Sequence, residues 1–474
     1  MQQTRTETKS AKWVALFCLG LIAPLFFLPA FTPDELWFHR DAVAIANSGI
    51  NPFSQLPHLG YGASFWLLYA TLVKLAPDKT TAMLVARMVC FLVAASIPFL
   101  LIWHGDKIRS PFTLQGVLLW FSMPMAWWCG KVVSPEIPSY ALAVFAAASI
   151  GEHPLFAWSL WGAAVGLKLT ALPIGLFLLF LGKDLTRDGI RKAIRYSAFG
   201  FVLMNPAVVF HPVLFGHEMI ASGLPFRFDL ENFKRVLIST SWEWDGIPSG
   251  GFFVHGVCLL SVVLVLGLLL AEGKNNAGQR TLAIGFLSAM ALTLTLAMRS
   301  IFHLWYAFPI LALVPFCLTH LNLNRQWVRT AVVAQFLFGA PLIYLQYTNK
   351  LADYFELTRY EAAKSEVEAS LTNWQPNFVA DLLTCARIPI VPTVHGVQYL
   401  DDNASQTVVT DGPGKQLMGR SGKIAIVLNK RLLNLSDSYD PFRNGLSNPK
   451  WLGQFRLIAT KQTTTAILFL FESN

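Results

Sequence analysis

Apolar runs of membrane length recur along this chain, and they leave few folds open to it. They lie at about 13–20, 82–103, 112–129, 137–150, 154–182, 197–215, 252–271, 281–298, 303–320 and 328–346, the first being part of a longer stretch from Trp13 to Phe31. A helix needs about 20 apolar residues to cross a hydrocarbon core. Inside that core each segment must satisfy its own backbone hydrogen bonds, which leaves helices or closed barrels. The run 154–182 is too long for one span and is interrupted by Lys168, Thr170 and Pro173. It reads as two short helices meeting near Lys168, which brings the expected total to about eleven spans. Composition agrees: 54% hydrophobic, 14% charged and a mean hydropathy of +0.48 describe an all-α polytopic membrane protein. The apolar stretch 61–76 is shorter, carries Lys74 near its end, and is expected to lie in the membrane interface.

Charge assigns the sides. Arg5, Lys9 and Lys12 precede the first run and favour a cytoplasmic N-terminus. If 61–76 does not span, the inner loops hold Lys107 and Arg109, then Lys183, Arg187, Arg191, Lys192 and Arg195, then Lys274 and Arg280, then Arg325 and Arg329. Every clear basic cluster between spans then falls on one side. The formal charge of +9 is therefore read as loop charge held against anionic lipid, with no call for nucleic acid. The N-terminal run lacks a small-residue cleavage site and is followed by further spans, so it reads as an uncleaved anchor. Five of the six cysteines (Cys18, Cys90, Cys129, Cys258, Cys317 and Cys385) lie in or beside apolar runs, without metal or disulfide spacing, and read as small buried hydrophobes.

This arrangement divides the chain into a transmembrane domain, 1–346, and an extracytoplasmic domain, 347–474. Outer loops are expected at 32–80, 130–138 and 216–251. In the last of these, Leu230, Phe233, Val236 and Leu237 recur at helical spacing opposite Glu231, Lys234 and Arg235, as in a surface-lying amphipathic helix. Trp242 and Trp244 suit an aromatic belt. The last ~125 residues are less apolar. Turn clusters at 401–403 and 411–414, with strand-like runs at 424–428 and 465–471, suggest a small α/β domain.

Ionisable residues then converge on the outer edge. Thr32-Pro33-Asp34-Glu35 follows the first run directly. Thr32 can cap a helix, Pro33 suits its first position and Glu35 completes a capping box. Capping leaves Asp34 unexplained, and a carboxylate held at a membrane surface can act as general base on a hydroxyl. Glu136 is the one acid of its loop and sits between Pro135 and Pro138, with Lys131 close by. It is a solvated loop residue or a helix cap, or else a second functional carboxylate. Lys168 interrupts an apolar stretch. It either snorkels to the interface or serves a site, and Arg87, a few residues into its own span, is a similar case. Arg299, His303 and Tyr306 are spaced to share one helical face, with Trp305 and Pro309 beside them. This is an aromatic belt with a topological charge, or a clamp for an anion built on the forked Arg donors.

The ordered set resembles the C-type (GT-C) membrane glycosyltransferases, a superfamily that includes protein O-mannosyltransferases and lipid A aminoarabinose transferases. The resemblance rests on Asp34-Glu35, Arg87, Ser134-Pro135-Glu136, Gly166-Leu167-Lys168-Leu169-Thr170 and His303-Leu304-Trp305-Tyr306-Ala307-Phe308-Pro309, and covers roughly residues 10–345. It implies surface-lying helices in the first outer loop and transfer of a sugar from a polyprenyl-phosphate donor to a glycan, lipid or protein acceptor. Asp34 would be the general base, with Glu35 beside it and Glu136 as the second acid. Lys168, Arg299, His303 and Tyr306 would hold the donor phosphate, helped by Arg87 and Lys131. Attack opposite the phosphate would invert the anomeric centre. Some members use a divalent cation (Mg or Mn) beside these acids and others do not. A bacterial inner membrane, with the C-terminal domain in the periplasm, is the implied setting. Two rivals make other demands. A secondary transporter would show midplane charges and inverted repeats. A non-catalytic scaffold would tolerate joint loss of Asp34, Glu136 and Lys168.

Overall fold

The computed structural model describes residues 2–24, 28, 33–47, 62–123, 126, 133–182, 186–213, 215–216, 250–297, 308–321, 326–337, 339, 366–367, 369–381, 398–399, 421–429, 455–463 and 466–473. The chain divides into two units. One comprises Met1–Pro29 with Trp37–Tyr347, the other Ala30–Leu36 with Thr348–Asn474.

The first unit is helical. Its elements are α1 (Gln2–Ile22), α2 (Pro33–Asn47, whose first residues are counted with the second unit), α3 (Ala63–Leu75), α4 (Lys79–Lys107), α5 (Thr113–Ser122) and α6 (Glu136–Ser149). Then come α7 (Pro154–Leu167), a 3₁₀ turn (Leu169–Ala171), α8 (Ile174–Gly182), α9 (Arg187–Met204), α10 (Ala207–Phe210), α11 (Gly250–Gly273), α12 (Ala277–Ala297) and α13 (Phe308–Thr319). Residues 326–337 are also helical. Among the described residues, Thr80–Lys107 is long and apolar enough to cross a membrane alone. Ala63–Leu75, Thr113–Ser122, Pro154–Leu167, Leu169–Gly182, Leu260–Gly273 and Pro309–Thr319 are shorter apolar helices.

Helix α4 shows why these residues suit lipid. It starts at Asp78, whose carboxylate accepts the Thr81 N–H at 2.9 Å and the Thr81 hydroxyl at 2.7 Å. Those bonds, the backbone one first, hold the Asp78 carboxyl below its usual range. Further along, Ala82, Ala86, Cys90, Ala94, Ile97 and Leu101 are buried, while Met88, Leu92, Phe99 and Trp103 form an exposed stripe. In the first four turns small residues (Ala82, Ala86, Cys90 and Ala94) face the neighbours, while large apolar ones are exposed along the helix, the reverse of a helix that packs in water. Helix α9 repeats the pattern, with Ala193, Ser197 and Gly200 inward and Ile194, Phe199 and Leu203 outward.

Helices α7 and α9 approach so closely that no side chain fits between them. A Cβ on Gly162 would lie 1.9 Å from the Ser197 carbonyl oxygen, and one on Gly200 would lie 1.9 Å from that of Ser159. Replacing Gly200 by Leu must force the backbones apart. The expected cost is about 1–3 kcal/mol, read as a lower thermal midpoint of the purified protein in detergent. The break after α7 falls where the sequence predicts one: α7 ends at Leu167, and Lys168 itself is extended (φ −155°, ψ 124°).

Helix α3 lies within the 61–76 stretch. At 13 residues it is about 20 Å long, short of a ~30 Å core. Its buried face, Phe65, Trp66, Tyr69 and Ala70, packs partly on Phe38 of α2, whose ring lies edge-on to Trp66 with centroids 5.5 Å apart. Cys18, Cys90 and Cys317 are buried, and the Cys90 thiol donates to the Ser134 carbonyl at 3.8 Å.

The second unit contains a five-stranded mixed sheet in the order β2-β1-β3-β5-β4. The strands are β1 (Phe378–Asp381), β2 (Gln398–Tyr399), β3 (Lys423–Asn429), β4 (Phe455–Gln462) and β5 (Ala466–Ser473). β1 pairs in parallel with β2 and β3, and β5 pairs antiparallel with β3 and β4. Ile424, Ala425, Leu468, Leu470 and Phe471 are buried on the central strands. Helical residues 369–374 carry the buried Ser370 and Leu371. Gly422 enters β3 with φ +110°, which favours glycine. There the Asn377 side chain accepts the Lys423 N–H at 2.8 Å. The helical pattern within 216–251 and the turn clusters at 401–403 and 411–414 lie outside the described residues.

Candidate functional site

Among the described residues of the first unit, Glu136 and Lys168 form a buried ion pair. Pro135 sets the entry to α6, and Glu136 is its first helical residue. A helix N-terminus favours a carboxylate. Glu136 is therefore held by a helix end and is 4% exposed, which excludes the solvated-loop reading. The Ser134 hydroxyl donates to its Oε2, and the Glu136 N–H donates to Ser134 Oγ at 3.2 Å. Lys168 Nζ lies 2.6 Å from Glu136 Oε1.

The break between α7 and α8 places that lysine. The Lys168 N–H closes the last turn of α7 on the Ala164 carbonyl at 3.0 Å, and Leu169–Ala171 then turns as 3₁₀ helix. Extended backbone at Lys168 aims its side chain into the protein, where it is 8% exposed. It does not snorkel outward. The Gly62 N–H donates to the Leu167 carbonyl at 2.9 Å, so the start of α3 is tied to the same break. A Cβ on Gly62 would lie 2.8 Å from the Gly166 carbonyl oxygen, which explains glycine there. The Thr170 hydroxyl beside the break is buried and takes no hydrogen-bond partner among the described residues.

Other charged groups mark the opposite end of the bundle. The Lys107 ammonium pairs with Glu152 and sits over the Trp103 ring. Arg329 pairs with Glu7 at 2.8 Å, and the Thr8 hydroxyl donates to Asp106 at 3.1 Å. Burial raises the Glu7 carboxyl above its usual range, against the lowering effect of Arg329. Helices α4, α6 and α7 thus have Lys107 and Glu152 at one end, and Asp78, Glu136 and Lys168 at the other.

Arg87 is fully buried and donates to the Leu28 carbonyl at 2.9 Å, fixing the chain that leaves α1. Asp34 and Glu35 stand in the first turn of α2, and Glu35 is fully buried. The side chain of Asp34, together with Lys131, Arg299, His303 and Tyr306, lies outside the described residues. The structure thus brings Glu136 and Lys168 together. It adds Ser134 and Gly62, which sequence reasoning did not single out as site residues. The signal for Ser134 was present: a hydroxyl two positions before an acid at a helix start is a local hydrogen-bonding pattern. Gly62 is a tertiary contact with no local signature.

As for a cation, no three His, Cys, Asp or Glu side chains converge among the described residues, and the charge of Glu136 is already met by Lys168.

No protein-family model and no curated protein matches the sequence. The fold is similar to that of ArnT from Cupriavidus metallidurans. The apo ArnT structure matches with a TM-score of 0.52 and 12% identity, over 97% of this chain and 98% of that one. ArnT bound to undecaprenyl phosphate matches with a TM-score of 0.53 and 13% identity, over the same shares.

Proposed function

We propose that this chain is an inverting glycosyltransferase that moves a sugar from a polyprenyl-phosphate donor to an acceptor hydroxyl at the outer face of a bacterial inner membrane. The observation that carries this reading is the likeness in fold, over 97% of the chain, to ArnT bound to undecaprenyl phosphate. The buried Glu136–Lys168 pair supports it chemically.

In this reading Asp34 takes the acceptor proton, since a hydroxyl is a poor nucleophile while it keeps it. The acceptor oxygen bonds to the anomeric carbon as the bond from that carbon to the phosphate oxygen breaks. The departing polyprenyl phosphate gains negative charge, and fixed cations in a water-poor site stabilise that charge best. An ammonium has three donors, so Lys168 can hold Glu136 with one and reach a phosphate oxygen with another. Glu136 then serves twice: it fixes Lys168 and offers Oε2, through Ser134, to the polar network around the sugar. Arg299, His303 and Tyr306 supply the remaining phosphate contacts, Arg87 and Lys131 assist, and Glu35 supports the turn that presents Asp34.

Arg299 separates the donor from the acceptor. Losing a charge-assisted hydrogen bond costs about 1.5–3 kcal/mol. Arg299→Gln is therefore expected to raise the donor KM by roughly 10–100-fold and leave the acceptor KM unchanged in steady-state transfer assays. A change confined to the acceptor KM would contradict the clamp.

A further inference from the structure

An open apolar groove of about 350 Å³ lies on the first unit, lined among others by Trp158 and Trp161 of α7, Leu176 and Leu179 of α8, and Ile190 and Ile194 of α9. All its lining residues are apolar. Its walls are firm. The Trp161 indole N–H donates to the Ala171 carbonyl at 3.0 Å, and Trp158 packs edge-on against it with centroids 5.6 Å apart. Gly175 lies against the Trp161 ring, so that a Cβ there would sit 2.3 Å from it. Ile190 and Ile194 are 40% and 65% exposed, so the groove opens to the surroundings.

Basic residues flank the groove residues along α9. Arg187 and Arg191 stand one helical turn apart, three positions before Ile190 and Ile194 respectively, so helical spacing sets each beside a groove residue. Both are exposed. Asp188 lies 3.9 Å from Arg191, with both side chains in the open. An apolar slot beneath exposed guanidinium groups matches one chemistry: an acyl chain below a phosphate headgroup. We propose that this groove holds an acyl chain of an anionic phospholipid from the leaflet at the α9 N-terminus, with Arg187 and Arg191 on its headgroup. That leaflet is cytoplasmic by the charge rule, and this site is separate from the one proposed for the sugar donor.

Tryptophan quenching reads the groove directly. The full chain is placed in nanodiscs containing phosphatidylglycerol or phosphatidylcholine with brominated acyl chains, and quenching is followed against lipid mole fraction. Each basic group near the surface favours an anionic lipid by roughly fivefold. With two such groups, brominated phosphatidylglycerol is expected to reach half-quenching at a mole fraction roughly 25-fold lower than phosphatidylcholine. The difference should vanish in Trp158→Phe/Trp161→Phe. It should fall to the phosphatidylcholine level in Arg187→Gln/Arg191→Gln, whose surface changes spare the packing. Equal quenching by the two lipids in the native protein would overturn the proposal. So would a preference that survives either double variant, or one abolished by stoichiometric polyprenyl phosphate, which would give the groove to the donor's tail.

Discussion

Asp34→Asn is expected to leave expression and thermal midpoint unchanged while lowering sugar transfer at least ~100-fold, the lower end for loss of a general base. Asparagine keeps the size of the side chain, and its carbonyl oxygen can still accept a hydrogen bond. It cannot accept the acceptor proton at neutral pH. A capping role for the Thr32–Glu35 turn predicts the opposite outcome: Asn caps helices as well as Asp, so activity would persist. Rates with saturating donor and acceptor separate the two, and normal turnover in the variant would end the base assignment.

Breaking the buried pair should act on stability and activity together. Lys168→Met leaves the Glu136 carboxylate enclosed without its counter-charge, and Glu136→Gln does the same to Lys168. Removing one partner of a buried ion pair typically costs about 3–5 kcal/mol. Either single variant should therefore lose folded protein on heating in detergent well before the native chain. The double variant Glu136→Gln/Lys168→Met removes both charges, and a neutral replacement of a buried pair is often tolerated. It should recover most of the stability but none of the transfer activity. Recovery of both would make the pair a structural lock. Recovery of neither would point to wider distortion at the α7–α8 break.

Much of the helical layout was legible because membrane spans are written in local composition. The break at Lys168 could be read from Lys168, Thr170 and Pro173 alone, since a charge, a hydroxyl and a proline each disturb an apolar helix. The partnership of Lys168 with Glu136 was not legible. The two were singled out separately, Lys168 for phosphate and Glu136 as an acid, because pairing across α6 and α7 depends on helix packing. That packing rests on glycines such as Gly162 and Gly200, whose role appears only when two backbones meet. In the second unit the central strands β3 and β5 announced themselves as apolar runs. The edge strand β4 did not: Phe455–Gln462 carries Arg456 and Lys461, charges that suit an exposed edge and hide a strand from hydropathy. The likeness to ArnT also reaches further than the motifs did, over 97% of the chain against residues 10–345.

A structure of the full chain in lipid with polyprenyl phosphate bound tests the central claim most directly. The account predicts the phosphate within hydrogen-bonding distance of Lys168 and Arg299, with the Asp34 carboxylate facing the same cavity across the space for a sugar. A phosphate seated away from Lys168, or Asp34 and Glu136 on opposite sides of the bilayer, would contradict it.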